Sequence, residues 1–209
     1  MKIWIICTGE KEGLRPKRCG PEDFDAFSRR ALEDDPGPRE EKKLPWKGNQ
    51  VLAAPCPAAE KTAALLIDGG ELRIEPLLAP VADRPFRDSG SAPFWLWREM
   101  ARLQRSSGSK RQPESRKEIA ARAEKLMARL EQEEKDCVLI ADCILTEELL
   151  DRARVRGYTR ARTGIFRYQP WERVLLTKRN VHCGGCAHNC LLANPGCGIG
   201  RDKAARRSE

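Results

Sequence analysis

The sequence predicts an α/β protein, a three-layer sandwich on a mostly parallel sheet, and three observations carry that prediction. Short apolar, β-branched runs such as Lys2-Ile-Trp-Ile-Ile-Cys7 and Cys137-Val-Leu-Ile-Ala141 lack the polar alternation of a half-exposed strand, as expected of strands covered on both faces. Between them lie longer segments with apolar residues at helical spacing, as at Ile119, Ala123, Leu126, Met127 and Leu130. Strands and helices alternate along the chain, the pattern of parallel strands joined by helical crossovers.

The elements follow in order. The first strand, Lys2–Cys7, stops at Gly9. From Glu10 to Asn49 the composition turns polar and carries five prolines, which predicts a long excursion with one short helix near Glu22–Leu32. Gln50–Ala54 is the second strand, and the helix Ala58–Ile67 after it closes at Gly69-Gly70. Leu72–Leu78 reads as a third strand and Ala79–Pro93 as loop. Phe94–Arg105 is helical in pattern and ends at Ser106-Ser107-Gly108. Ser115-Arg-Lys-Glu118 is a capping box that opens the next helix. The strand Cys137–Ala141 leads into a helix over Leu145–Val155. Thr159–Thr177 reads as a hairpin, with Tyr168, Trp171, Val174 and Leu176 on its strands and Gln169-Pro170 at its turn.

The totals bound the function classes. With 209 residues, 40% hydrophobic and 33% charged, the chain can bury one domain-sized core and an appendage. The division expected is residues 1–179 for the α/β domain and 180–209 for a Cys-rich tail. A net charge of +8 favours acidic partners, but acids and bases are interleaved along most of the chain, as on ordinary solvated helix faces. No apolar stretch approaches the ~20 residues of a membrane span. The apolar run at the N-terminus is too short for a signal peptide. A cytoplasmic protein without membrane contact is the expectation, and its nine cysteines are then thiols or metal ligands rather than disulfides.

In an open parallel sheet ligands sit beyond the carboxyl ends of the strands, and Cys7-Thr8, Pro55-Cys56 and Asp142-Cys143 fall there. Cys7-Thr8-Gly9-Glu10 resembles the Arg-His-Gly-Glu of the histidine phosphatase superfamily, the phosphoglycerate-mutase-like fold. Ala53-Ala-Pro-Cys-Pro-Ala58-Ala-Glu-Lys-Thr62-Ala63 is similar to that family's Ser-Ser-Pro-Leu-x-Arg-Ala-x-x-Thr-Ala, and Val138-Leu-Ile-Ala-Asp142-Cys143 to its Val-Leu-Val-Ser-His-Gly. The resemblance spans residues 1 to about 177. It implies a phosphate pocket of two His and two Arg, with a nearby acid. Carried over residue by residue, the nucleophilic His falls on Thr8 and its neighbouring Arg on Cys7. The second Arg falls on Ala58, the second His on Asp142 and the proton-donating Glu on Pro80.

All five positions are changed. Phosphoryl transfer relies on positioned positive charge, and at ~4 Å with an effective dielectric near 20 one unit charge pair is worth about 4 kcal/mol. A carboxylate at Asp142 where a cation belongs therefore opposes phosphate binding. Arg15 or Arg18, from the long excursion, could return some positive charge. The implied function is a catalytically degenerate family member acting as a binding or regulatory module, its partner a protein or small molecule. The alternatives are a residual phosphatase or repurposed thiol enzyme at the altered pocket, and a nucleic-acid-associated protein.

The tail carries the second signal. Cys183, Cys186, Cys190 and Cys197 are spaced Cys-x2-Cys-x3-Cys-x6-Cys, with Gly184-Gly185 and Asn194-Pro195-Gly196 as turns between them. Four thiolates on so short a segment suit tetrahedral Zn²⁺, with His182 as the substitute ligand and an iron–sulfur cluster, redox thiols or free cysteines as the alternatives. The basic end beyond Cys197 could touch phosphates, but the tail lacks aromatic residues for base stacking. A further constellation follows from the resemblance. Cys7, Cys56, Asp142 and Cys143, joined by Cys19 from the overhanging excursion, would gather at one rim as a second metal or redox site. Cys137, at the far end of its strand, belongs to the core.

Overall fold

The computed structural model describes residues 1–10, 15–36, 43–48, 50–160 and 170–178. Its elements are β1 (Lys2–Cys7), β2 (Arg18–Cys19), α1 (Pro21–Glu33), β3 (Leu44–Pro45), β4 (Gln50–Ala53) and α2 (Pro57–Leu66). They continue with β5 (Ile67–Asp68), β6 (Glu71–Ile74), a 3₁₀ turn (Pro76–Leu78), β7 (Ala92–Pro93), α3 (Phe94–Ser107) and α4 (Arg116–Glu133). The last are β8 (Cys137–Ala141), α5 (Cys143–Val155), β9 (Tyr158–Arg160) and β10 (Arg173–Lys178). One compact unit spans Met1–Lys178. Residues 179–209, with all four tail cysteines and both histidines, lie outside the described residues.

Six strands form the main sheet in the order β6-β4-β8-β1-β10-β9. Neighbours among β6, β4, β8 and β1 are parallel, while β10 runs antiparallel to both β1 and β9. Parallel crossovers are right-handed almost without exception. The leftward step β4-α2-β6 and the rightward step β8-α5-β9 therefore place their helices on opposite faces. Packing agrees, because α1 sits on α2 and α4 on α5. The result is the expected three-layer α/β sandwich with a mostly parallel sheet.

Every residue of β8 is buried, and Ile3, Ile5 and Ile6 of β1 are inaccessible to solvent. On the helices the predicted stripe Ile119, Ala123, Leu126, Met127 and Leu130 is the buried face of α4. Ser115 caps that helix as expected: its hydroxyl accepts from the Glu118 amide, and its own amide donates to Glu118 Oε2 at 2.7 Å. A second, smaller cluster packs Cys19, Phe24, Ala92, Phe94 and Trp97 together. Phe24 stacks on Trp97 with centroids 5.7 Å apart, and Trp97 Nε1 donates to the Cys19 carbonyl at 3.0 Å. This cluster fastens the excursion after β1 to α3.

Two predicted elements are corrected. The third strand stops at Ile74 and does not reach Leu78. Beyond it the Glu75 carboxylate accepts from the Leu77 amide at 3.0 Å, and Pro76 has no amide to extend a ladder, so the chain winds into the 3₁₀ turn. Trp171 is a turn residue with φ +71° and not a strand residue. Its strand begins at Arg173, and Tyr168 and Gln169 lie outside the described residues. No helix of the described residues is long and apolar enough to cross a membrane.

Candidate functional site

Strand register decides which residues meet. Cys7 stands opposite Ala141, and Ala53 opposite Ile140, so β1, β4 and β8 end together. The Thr8 amide continues the ladder to the Ala141 carbonyl at 2.9 Å, and the Ala54 amide does so to Ile140 at 2.9 Å. At this edge a small cleft of about 100 Å³ opens between Thr8, Glu10 and Arg15 on one side and Asp142 and Cys143 on the other. Phe27 and Ser28 of α1, Asp83 of the long loop and Arg98 of α3 complete its walls.

The five positions carried over from the resemblance fare differently. Thr8 and Asp142 line the cleft, whereas Cys7, Ala58 and Pro80 do not. Cys7 and Ala58 are wholly buried, because Cys7 still belongs to β1 and Ala58 packs in the first turn of α2. Pro80 lies just before Val81, which does reach the cleft. The frame residue Thr62 has a clear part: its hydroxyl donates to the Ala58 carbonyl at 2.6 Å and accepts from the Gly9 amide at 2.9 Å. That pair of bonds ties the end of β1 to α2.

Asp142 requires a correction. The expectation was a carboxylate facing the cleft and repelling anions. Its Oδ1 instead accepts from the Ile144 amide at 2.7 Å and the Leu145 amide at 3.0 Å, and its Oδ2 from the Val81 amide at 3.0 Å. Asp142 is the N-cap of α5 and also anchors the loop before Asp83. Burial raises its carboxyl above the usual carboxylate range, with the three amides and Arg122 opposing that shift.

The other charges of the cleft are largely occupied. Arg15, the cation expected from the excursion, forms a bidentate pair with Glu10 at 2.7 and 2.6 Å. Arg18 turns away and donates to the Ser91 carbonyl. Asp83 is locked in a buried ion pair with Arg105. Arg98 has no ion-pair partner among the described residues, and Glu147 only feels its charge at a distance. Sequence reading missed Arg98, Asp83 and Trp171. For Arg98 a signal existed, because Arg98, Arg102 and Arg105 share one helical face.

Trp171 packs against the end of β1 beside the cleft. Its amide donates to the Cys7 carbonyl at 3.3 Å and its indole nitrogen to the Glu10 carbonyl at 3.3 Å. The ring lies so close to Gly9 that a Cβ there would sit 2.4–2.6 Å from its carbons.

The second cysteine constellation is brought together only in part. Cys143 lines the cleft, whereas Cys7 and Cys56 are buried behind it and burial helps to raise both of their thiols. Cys19 belongs to the aromatic cluster instead, pinned there through its own backbone carbonyl. Among the described residues no three His, Cys, Asp or Glu side chains are placed to hold a metal ion. Cys137 is a core residue as expected, its thiol pushed up to about 12 by burial.

No family model matches the sequence, and no curated protein matches it. Solved structures of similar fold include the alpha-ribazole phosphatase from Shigella flexneri, with 19% identity, 73% of this chain and 79% of that chain covered and a TM-score of 0.41. A mutant phosphoserine phosphatase from Entamoeba histolytica in complex with phosphoserine is another, with 13% identity, 74% and 80% coverage and a TM-score of 0.43. The likeness is one of fold.

Proposed function

We propose that this chain is a catalytically degenerate protein of the histidine-phosphatase kind that acts as a binding or regulatory module, with its tail held by zinc. One observation carries the reading. The side chains at the shared strand edge are engaged in folding rather than turned toward a phosphoryl group, and Asp142, with three backbone amides on its carboxylate, is the plainest case.

The chemistry of the cleft supports the same reading. A phosphoryl group needs a nucleophile and several free cations. The two histidines of the sequence are His182 and His188, so residues 1–178 contain none. In the cleft Arg15 is paired with Glu10 and Asp83 with Arg105, which leaves Arg98 as its cation without an ion-pair partner among the described residues. Zinc at Cys183, Cys186, Cys190 and Cys197 would supply folding energy to a segment with little apolar surface, on the order of 10 kcal/mol. A thiol enzyme is the second reading, favoured by Cys143 in the cleft wall.

The test is a screen of phosphomonoesters with the purified full chain, together with acid quench for a phosphorylated enzyme. No turnover above buffer and no phosphoprotein are expected. A rate that disappears in Thr8→Ala would establish the enzyme and overturn the proposal.

A further inference from the structure

Arg98 lies in the second turn of α3, half-buried, and lines the cleft at the sheet edge. Phe94, four residues earlier on the same face of the helix, lines it too. Among the described residues every other charge on the cleft walls is already met. Glu10 and Arg15 hold each other in a bidentate pair at 2.7 and 2.6 Å. Asp83 is paired with Arg105, and the Asp142 carboxylate accepts from three backbone amides. Glu147 feels the charge of Arg98, but its ion-pair partner is Arg102, at 3.8 Å. Arg98 has no ion-pair partner among the described residues, so the cleft presents a single uncompensated positive charge.

The remaining walls set the size and character of an occupant. Phe27, Val81, Phe94 and Ile144 make them apolar, and Thr8 and Ser28 add hydroxyls. A small-molecule site has this composition, apolar with a few convergent polar groups. A cavity of about 150 Å³ holds benzene, with its six carbons, so the cleft's volume of about 100 Å³ holds roughly four non-hydrogen atoms. A carboxylate group fills most of that and leaves room for a short hydrocarbon stub.

Charge decides between anions of this size. A phosphomonoester carries about 1.5 to 2 negative charges at neutral pH. Arg98 balances only one of them, and the excess would face Glu10, Asp83 and Asp142. A monocarboxylate carries one charge, and its two oxygens match the parallel N–H groups of a guanidinium. We propose that the cleft binds a short aliphatic monocarboxylate of about two to four carbons, its carboxylate held by Arg98 and its carbons set against Phe27 and Ile144. That ligand class deepens the binding role proposed above and rests on it.

The experiment titrates the full chain with sodium propionate and follows amide chemical shifts by NMR. Saturable shifts are expected around Thr8, Ser28 and Arg98, with a dissociation constant of roughly millimolar order. Propionamide, the uncharged isostere, should bind at least about tenfold more weakly. Arg98→Gln should weaken propionate by about the same factor, whereas Arg98→Lys should keep part of the affinity. Propionamide tests the charge on the unaltered protein if Arg98→Gln fails to fold. Methyl phosphate binding more tightly than propionate would overturn the proposal. So would propionate shifts that Arg98→Gln leaves unchanged or that propionamide matches, or the absence of any saturable shift. Turnover of phosphomonoesters would overturn the proposed function and not this site, so the two fail separately.

Discussion

Replacing Asp142 measures how far this edge of the sheet is given over to folding. In Asp142→Ala the amides of Ile144, Leu145 and Val81 lose their acceptors at 2.7, 3.0 and 3.0 Å. Loss of an N-cap costs about 1 kcal/mol, and a buried amide left without a partner costs about 1–3 kcal/mol. Relief of the buried carboxylate offsets part of this, leaving an expected loss of about 2–4 kcal/mol. Asp142→Asn keeps one acceptor oxygen for Ile144 and Leu145 but sets a donor against the Val81 amide, so about half that loss is expected. Urea unfolding followed by circular dichroism reads both, with a midpoint about 1–2 M lower for the alanine variant.

The pH dependence has a definite sign. The folded Asp142 carboxyl is raised above its unfolded value, so its contribution is full below the ordinary carboxylate pKa of about 3.9 and declines as pH rises through the folded value. The stability gap between wild type and Asp142→Asn should therefore narrow from pH 4 to pH 7. Equal midpoints for the alanine and asparagine variants would refute the capping argument. A gap that widens with pH would mean that the three amides outweigh burial.

Two further expectations rest on the packing at Gly9 and on the cysteine spacing of the tail. Gly9→Ala drives a methyl group into the Trp171 ring and should cost about 1–3 kcal/mol, with a shifted tryptophan emission maximum; an unchanged spectrum and midpoint would show that the ring moves freely. Elemental analysis of reduced protein should find about one zinc per chain. Chelation or acid should release it and speed proteolysis beyond residue 180 while the α/β domain stays folded. A metal-free protein would remove that site, and visible absorbance would replace zinc by an iron–sulfur cluster.

Much of the scaffold was legible locally. The β8 strand and the Ser115–Glu118 cap each rest on a few adjacent residues whose chemistry admits one structure. The part taken by Asp142 was legible in principle, since an aspartate just before a helix signals an N-cap. Reading the helix from Leu145 rather than Cys143 hid it, and the comparison with a histidine then suggested a free charge. The aromatic cluster joins Cys19 to Trp97, 78 positions apart, and nothing in either segment names the other. Trp171 was misplaced for a related reason. Its positive φ is set by contacts with Cys7 and Glu10 at the opposite end of the chain, which no local pattern records.

The place of β1 in the sheet has a consequence for synthesis. Its neighbours are β8 and β10, so Ile3 waits for Cys137 on one side and Leu176 on the other. At about 5–20 residues per second, β8 emerges roughly 7–27 s after β1. Through that interval an apolar strand destined for full burial has no native partner, and its contacts are among the most distant in the chain. Such an exposed strand is a natural target for holding chaperones and a seed for aggregation. Chains interrupted before residue 173 would lack β10, leaving one flank of β1 permanently open to pairing with another chain.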